Sequence, residues 1–279
     1  MVRALKAPDV KNKLPKRLPK PSIPKLPDPT EPDEFEEMTL LEHMIELRDR
    51  IVKAGIAVII AFGFGIYFAR PFMELLLVQA NAQDSGFDIQ APTDTITLYF
   101  KVALYIAIAI ALPIIVWQVF GFLAPGLTKK EKRILFSSLP FVVVLFLAGA
   151  AYGFFIAAPA ALTFLSNFLS DLYEWSPEGN QVISFYLTLM IGLALAFQLP
   201  VIMFLLAKLN VASPQKMRGF WKYALLIVFI VSAVITPSTD PFNMMLVAIP
   251  LYTLYWAGIV FSYLFARRGV TEPTAGAPA

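Results

Sequence analysis

The chain contains no cysteine and only one histidine, His43, among its 279 residues. Disulfide bonds, thiolate metal sites and a cysteine nucleophile are therefore excluded, as are bis-histidine haem and multi-histidine metal sites, and no cofactor is expected. Charged residues are also scarce, at 15%, whereas 58% of the residues are hydrophobic and the mean hydropathy is +0.67. Soluble domains average about 25% charged and roughly 45–50% apolar residues. The composition therefore indicates an integral membrane protein.

Six long apolar stretches follow one another along the chain, at roughly 51–69, 96–123, 134–165, 183–207, 220–236 and 242–266. A transmembrane helix needs about 20 apolar residues to cross about 30 Å of hydrocarbon. The pattern predicts an all-α integral membrane protein with six transmembrane helices, the fifth and sixth forming a short pair. Prolines inside the stretches predict kinks, and kinked helices of unequal length favour a concave bundle.

The predicted organisation has three parts. Residues 1–37 form a Pro/Lys-rich arm, expected to be disordered, cytoplasmic and close to anionic lipid. Residues 38–267 form the six-span membrane domain, and residues 268–279 form a short cytoplasmic tail. Thr39 followed by Glu42 fits a capping box, and the apolar residues after it recur at helical spacing. This pattern predicts a short interfacial helix ahead of the first span.

The basic residues predict the orientation of the spans. All but two of the 23 Lys and Arg residues, Arg70 and Lys101, lie in the N-terminal region, the second and fourth loops, the span edges beside them, or the C-terminal tail. Basic residues accumulate on the cytoplasmic side of membrane proteins. Both termini are therefore expected in the cytoplasm of a multi-pass protein of the cell membrane.

Two carboxylates lie among the bases of this side: Glu46 at the foot of the first span, in "EHMIELRDRI", and Glu131 in "LTKKEKR". One interpretation is local, with Glu46 paired to Arg50 at i,i+4 and Glu131 neutralised by neighbouring bases, each exposed pair contributing about 0–1 kcal/mol. The other is that both acids bind an incoming cation. Guanidinium suits such a site because it meets a carboxylate through two parallel hydrogen bonds. The residues alone leave both interpretations open.

Other functions find less support. A secondary transporter or proton-coupled pump is expected to bury ionisable groups near the middle of its spans, and none of the six stretches carries one there. An integral-membrane enzyme would need a nucleophile, metal ligands or paired acids in one site, and none is seen, so the chain is predicted not to be an enzyme. A passive scaffold remains an alternative.

Five motifs in order resemble the TatC family, the large membrane subunit of the twin-arginine translocase. They are "HMIELRDRI" (43–51), "FGFLAPGLTKKEKR" (120–133), "AFQLPVI" (196–202), "TPSTDPFNM" (236–244) and "LVAIPLYTLYWAGI" (246–259). The resemblance implies a receptor for signal peptides with two consecutive arginines, which helps to export folded proteins. It also implies TatA- and TatB-like single-span partners and the transmembrane proton gradient as the energy source. Self-association is left open, and no nucleic acid is implied.

The resemblance also implies which residues bind the signal peptide. These are Glu46 with Arg48 as its partner in the motif, Glu131 with Arg133 two positions on, and the aromatic Phe122 ahead of Pro125. The two glutamates would take the two arginines. Arg48 has a local alternative, in which it braces Glu46 or a lipid phosphate.

Two further positions carry polar groups that the resemblance singles out. Many family members have glutamate where this chain has Gln198, which is either a signal-peptide contact or an interhelical hydrogen bond worth about 0.6 kcal/mol. Asp240 matches an acid of the family and is expected to cap the sixth helix ahead of Pro241, with a role in transport as the alternative. His43 is expected at the membrane interface, without proton chemistry.

Overall fold

The computed structural model describes residues 39–80, 91–168, 170–172, 178–238 and 240–266, with side chains to Leu264. The arm (1–37) and the tail (268–279) expected from the sequence lie outside these residues. The regular elements of the described part are helices: α1 (Leu40–Gln79), α2 (Asp94–Leu123), α3 (Lys129–Ser137), α4 (Leu139–Tyr152), α5 (Ala158–Asn167), α6 (Gly179–Ala196), α7 (Leu199–Lys208), α8 (Pro214–Gly219), α9 (Trp221–Ile235) and α10 (Pro241–Ala266). The prediction of an all-α membrane protein is confirmed.

Five helical segments are long and apolar enough to cross a membrane, and the shorter α9 completes the predicted six spans. The five are Leu40–Gln79, Asp94–Gly126, Lys129–Asn167, Gly179–Lys208 and Pro241–Leu264. The 15 residues of α9 extend only about 22 Å at 1.5 Å per residue. The 26 residues of α10 reach a normal spanning length, so only the fifth helix of the expected short pair is short.

The first span differs from the prediction at its start. The capping box is present, because Thr39 Oγ1 accepts the Glu42 amide and the Glu42 carboxylate accepts the Thr39 amide. The helix does not stop after a short interfacial segment but runs through to Gln79. The residues between Leu47 and Ile51 include neither proline nor glycine, and extending an existing helix is far easier than starting a new one.

The third and fourth spans are interrupted near prolines. In the third, a π-helical turn, Gly153–Ala157, separates α4 from α5. Pro159 lies just after this turn and cannot donate the amide hydrogen bond that would continue the regular helical pattern. In the fourth, a turn at Phe197 and Gln198 separates α6 from α7, and Pro200 is the second residue of α7. The main hydrophobic core surrounds α6, whose Tyr186, Leu187 and Leu193 are almost fully buried.

Candidate functional site

The carboxylate of Glu46 is held by Arg50, one turn further along α1. Arg50 donates from Nε (2.8 Å) and Nη2 (2.5 Å), and both bonds end on Glu46 Oε1. The side chains of Glu46 and Arg50 are only 18% and 25% exposed. Glu46 Oε2 is buried and has no hydrogen-bond partner within the described residues. The local pair expected at i,i+4 is thus present, and it uses one of the two carboxylate oxygens.

The guanidinium of Arg50 lies directly against Gly121, in the last turn of α2. A Cβ atom at position 121 would overlap Arg50 Nη1 and lie 2.5 Å from Cζ. Glycine therefore leaves a space on α2 that the guanidinium fills. No role was predicted for Gly121, because nothing in the local motif shows that it faces a residue 71 positions away.

Phe122, the residue after Gly121, stacks on His43 of α1. The two rings are nearly parallel, with centroids 4.2 Å apart and an angle of 17° between their planes. Together, His43 and Arg50 attach the start of α1 to the end of α2. His43 lies in the first turns of α1, its position at the membrane interface stays a prediction, and its contact with Phe122 was not predicted. Pro125 then lies in a 3₁₀ turn, Ala124–Gly126, which ends this span.

Glu131 lies in the first turn of α3. Thr128 caps α3, and the Glu131 carboxylate accepts hydrogen bonds from the Thr128 amide (3.0 Å) and hydroxyl (2.9 Å), while the Glu131 amide donates to Thr128 Oγ1. This second capping box gives Glu131 a structural role that was not predicted, although the sequence has the Thr-x-x-Glu spacing of a capping box. Both bonds to the carboxylate end on Oε2, so the arrangement parallels Glu46, whose pair also uses one oxygen.

The arginines expected beside these acids lie elsewhere. Arg48 is exposed and donates to Asp49 Oδ1 from Nε (3.0 Å) and Nη2 (2.8 Å). It does not brace Glu46, because successive helical positions point about 100° apart and Arg50 lies on the face of Glu46. Arg133 is exposed on α3. Signal-peptide contacts by Arg48 and Arg133 stay predictions.

A shallow depression of about 330 Å³ lies along one face of α1 beside the pair of Glu46 and Arg50. Its lining consists of Glu42, Ile45, Glu46, Asp49, Arg50 and Lys53. Three carboxylates and two basic groups give this lining a net charge of −1. The lining is thus acidic on a side that the sequence makes basic, and Arg48, from outside the lining, pairs with its Asp49.

Gln198 lies at the break in the fourth span, away from these contacts. Its Nε2 donates to the carbonyl oxygens of Val142 (3.2 Å) and Ala194 (3.3 Å). The bond to Val142 joins the fourth span to the third, which is the interhelical alternative. Gln198 Oε1 is buried without a partner in the described part of the chain. A signal-peptide contact at Gln198 stays a prediction.

Asp240 caps α10, as expected. Its Oδ1 accepts the Asn243 amide at 2.8 Å, and its Oδ2 accepts the Asn243 side-chain amide at the same distance. Burial alone would raise the pKa of Asp240, but the hydrogen bonds from Asn243 and Ser238 outweigh it and lower the pKa below its ordinary value. A transport role for Asp240 stays untested.

Comparisons with known proteins agree with the motifs. A family model described as TatC, Sec-independent protein translocase protein, matches residues 42–250. A Sec-independent protein translocase protein TatC of Carboxydothermus hydrogenoformans is 35% identical over 226 residues, covering 81% of this chain and 93% of the relative. A TatC of Deinococcus radiodurans is 32% identical over 258 residues, covering 88% and 94%.

A solved structure is also similar. It is described as the crystal structure of the twin-arginine translocase receptor TatC. The alignment has a TM-score of 0.71 at 32% sequence identity and covers 81% of this chain and all of that one.

Proposed function

This chain belongs to the TatC family of Sec-independent protein translocase proteins, and we propose that Glu46 and Glu131 bind the two arginines of a twin-arginine signal peptide. Family membership makes the protein a multi-pass membrane receptor component of a protein translocase, which works in a complex with other subunits. The site residues, the orientation and the identity of the partners belong to the proposal.

The observation that carries this proposal is that one oxygen of the Glu46 carboxylate is buried without a hydrogen-bond partner among the described residues. The carboxylate is partly buried beside a net negative depression, and Oε2 is the oxygen in question. A carboxylate offers about four acceptor positions on its two oxygens, and a buried acceptor without a partner costs about 1–3 kcal/mol. An incoming guanidinium would satisfy this oxygen, and charge-assisted hydrogen bonds of that kind are the strong ones.

Glu131 supplies the second carboxylate of the proposed site. It follows Phe122 through a short connector, residues 123–128, and the ring of Phe122 already contacts α1 at His43. Its capping bonds use one oxygen, so capping and binding are compatible. Glu46 lies at the start of the first span and Glu131 at the start of the third, and two acids match a ligand with two cations better than a single acid would.

The rest of the proposal concerns the complex. Both termini lie in the cytoplasm and the protein resides in the cell membrane, so that the negative depression faces cargo before export. TatA- and TatB-like single-span subunits assemble on the receptor after signal-peptide binding, and the proton gradient drives transport. The apolar segment of the peptide enters the bundle on the side of Gln198.

The test separates charge from capping at Glu131. The probe is a fluorescent peptide with two consecutive arginines before an apolar segment, and its Kd is measured with the full chain in lipid nanodiscs. Glu131→Gln keeps a capping-box side chain and removes the charge, so binding should weaken roughly tenfold or more, since hydrogen bonds to charged groups contribute about 1.5–3 kcal/mol. Glu46→Gln should act likewise.

Thr128→Ala is the matched control, because it removes the cap and keeps the Glu131 charge. It should lower stability by about 1 kcal/mol and change Kd less than Glu131→Gln does. A twin-lysine peptide should bind more weakly to the unmodified chain. Equal weakening by Thr128→Ala and Glu131→Gln would reduce Glu131 to a helix cap, and equal binding of both peptides would favour a passive scaffold.

A further inference from the structure

Arg50 occupies Oε1 of the Glu46 carboxylate, and a signal-peptide guanidinium that binds through two parallel hydrogen bonds needs Oε1 as well as the unpartnered Oε2. Its two hydrogen bonds to Glu46 Oε1 are short, at 2.8 and 2.5 Å, and the pair is largely shielded from water. An exposed pair of the same spacing occurs near the other end of α1. There Arg70 donates to Glu74 at 3.2 Å, and the side chains are 83% and 64% exposed. The pair of Glu46 and Arg50 is therefore closer and better shielded from water than the pair of Arg70 and Glu74.

Packing between α1 and α2 holds the Arg50 guanidinium in place. Gly121 leaves the space in which the group lies, and any larger residue would push it out. The atom that would be displaced is the end of a flexible side chain, so the guanidinium can leave without moving either helix. Arg50 is therefore a positioned group that can still exchange.

We propose that Arg50 is an internal competitor for the signal-peptide arginine at Glu46 and sets the affinity that a peptide needs in order to bind. This inference rests on the proposed function. The incoming guanidinium reaches Glu46 from the depression on α1, and Arg50 swings off Glu46 and away from Gly121 as the new pair forms. One guanidinium replaces another, so the partly buried carboxylate is paired both before and after the exchange. This avoids the large cost of leaving a buried charge unpaired.

Competition of this kind acts on every cationic peptide alike. The apparent Kd equals the intrinsic Kd divided by the fraction of protein in which the site is free, so a pair that is closed about 90% of the time weakens binding about tenfold. The ratio between arginine and lysine peptides stays the same. A lysine peptide offers a point charge in place of two parallel donors, so its intrinsic affinity is lower. With the added competition from Arg50, it binds too weakly to occupy the site at the concentration at which the arginine peptide does. Arg50 thus makes a modest chemical preference into a requirement for arginine.

Two substitutions, one on α1 and one on α2, test whether Arg50 competes with the peptide. Arg50→Lys keeps the positive charge and removes the paired donors, and Gly121→Ala leaves Arg50 intact but displaces its guanidinium. Each should tighten binding of the twin-arginine peptide in nanodiscs about three- to tenfold, by raising the fraction of free site. The twin-lysine peptide should tighten by the same factor. Because both variants preserve net charge, a change in the local electrostatic field does not explain this result.

Arg70→Lys is the matched control, since it alters an i,i+4 arginine pair on the same helix and should leave Kd unchanged. In a Glu46→Gln background, Arg50→Lys and Gly121→Ala should have no further effect on Kd. Thermal unfolding checks that both variants fold. If both fold and peptide binding is unchanged or weaker in both, the proposal that Arg50 competes for Glu46 is wrong. If the unmodified chain binds the peptide and Glu46→Gln does not weaken it, the proposed function fails instead.

Discussion

At the scale of single residues, carboxylates at helix starts bind the amides of the first turn. Glu42, Glu131 and Asp240 each accept a backbone amide at the start of α1, α3 or α10. Such bonds stabilise the helix terminus. An acid in a functional motif can therefore have a structural role as well, and a substitution that removes both charge and cap cannot separate the two.

Asp240 provides the pH-dependent prediction. Its pKa is lowered in the folded protein, so its contribution to stability is present above the pKa of the unfolded chain and is lost as pH falls through the lower folded value. Asp240→Ala should reduce stability by about 1 kcal/mol at pH 7, and this difference should shrink below about pH 4, where aspartate in the unfolded chain is protonated.

Thermal unfolding in detergent, followed by intrinsic fluorescence between pH 3 and 8, measures this difference. Asp240→Asn is the control, because asparagine is an equally good N-cap without titrating. A stability difference between the unmodified chain and Asp240→Ala that grows as the pH falls would contradict the assignment of the cap.

At the scale of helices, the third and fourth spans pack backbone to backbone at two glycines. A Cβ added at Gly149 would lie 2.6 Å from the Leu193 carbonyl oxygen and 2.7 Å from Ala194 Cα, and one at Gly153 would lie 2.8 Å from Met190 Cα. These neighbours are backbone atoms, which cannot rotate away. Small residues allow such close approach, which drives helix association in lipid because apolar side chains gain little there from leaving the hydrocarbon.

Gly149→Ala should therefore destabilise the protein, by about 1–3 kcal/mol, the usual cost of overpacking. The two spans must separate to admit the methyl group, because neither backbone can yield. Gly63→Ala, also within a span, is the matched control, since no atom of a neighbouring helix lies within 4 Å of the added Cβ, and it should be neutral or slightly stabilising. The stability of both variants is measured by thermal unfolding in the same detergent. Equal changes in stability would mean that the close approach of the third and fourth spans does not cause the effect of Gly149→Ala.

At the scale of the whole molecule, the distribution of basic residues predicts the orientation in the membrane. The chain has no cysteine, so single cysteines can be introduced without a background signal. Lys130→Cys and Lys216→Cys replace exposed residues on the predicted cytoplasmic side, and Asp171→Cys replaces one on the other side.

A membrane-impermeant maleimide added to intact cells should label Asp171→Cys and leave the two lysine replacements unlabelled until the membrane is permeabilised. Positive charge near span ends is retained on the cytoplasmic side during insertion, which is the physical basis of the expectation. Labelling of Lys130→Cys in intact cells would place the proposed binding site on the wrong side for a receptor of cytoplasmic cargo.

Much of the fold could be predicted because it depends on local patterns. Apolar runs indicated the spans, and the spacing of Thr39 and Glu42 indicated the first capping box, since the groups involved lie within one helical turn. The π-helical turn before Pro159 was not predicted, because proline indicates a disturbed helix without specifying its form. At the site, the pairing of Glu46 with Arg50 was foreseen as an alternative, whereas its shielding by Gly121 was not.

The sequence by itself determined that the chain is a helical membrane protein, where its spans lie, and that Glu46 and Glu131 lie among basic residues. These features follow from hydrophobicity, helical spacing and charge, which act between near neighbours. Only the tertiary structure decided that Arg50 lies against Gly121, that Phe122 stacks on His43, and that Gln198 joins the third and fourth spans. Contacts between distant segments depend on how whole helices pack, and packing is decided by shape over many residues together.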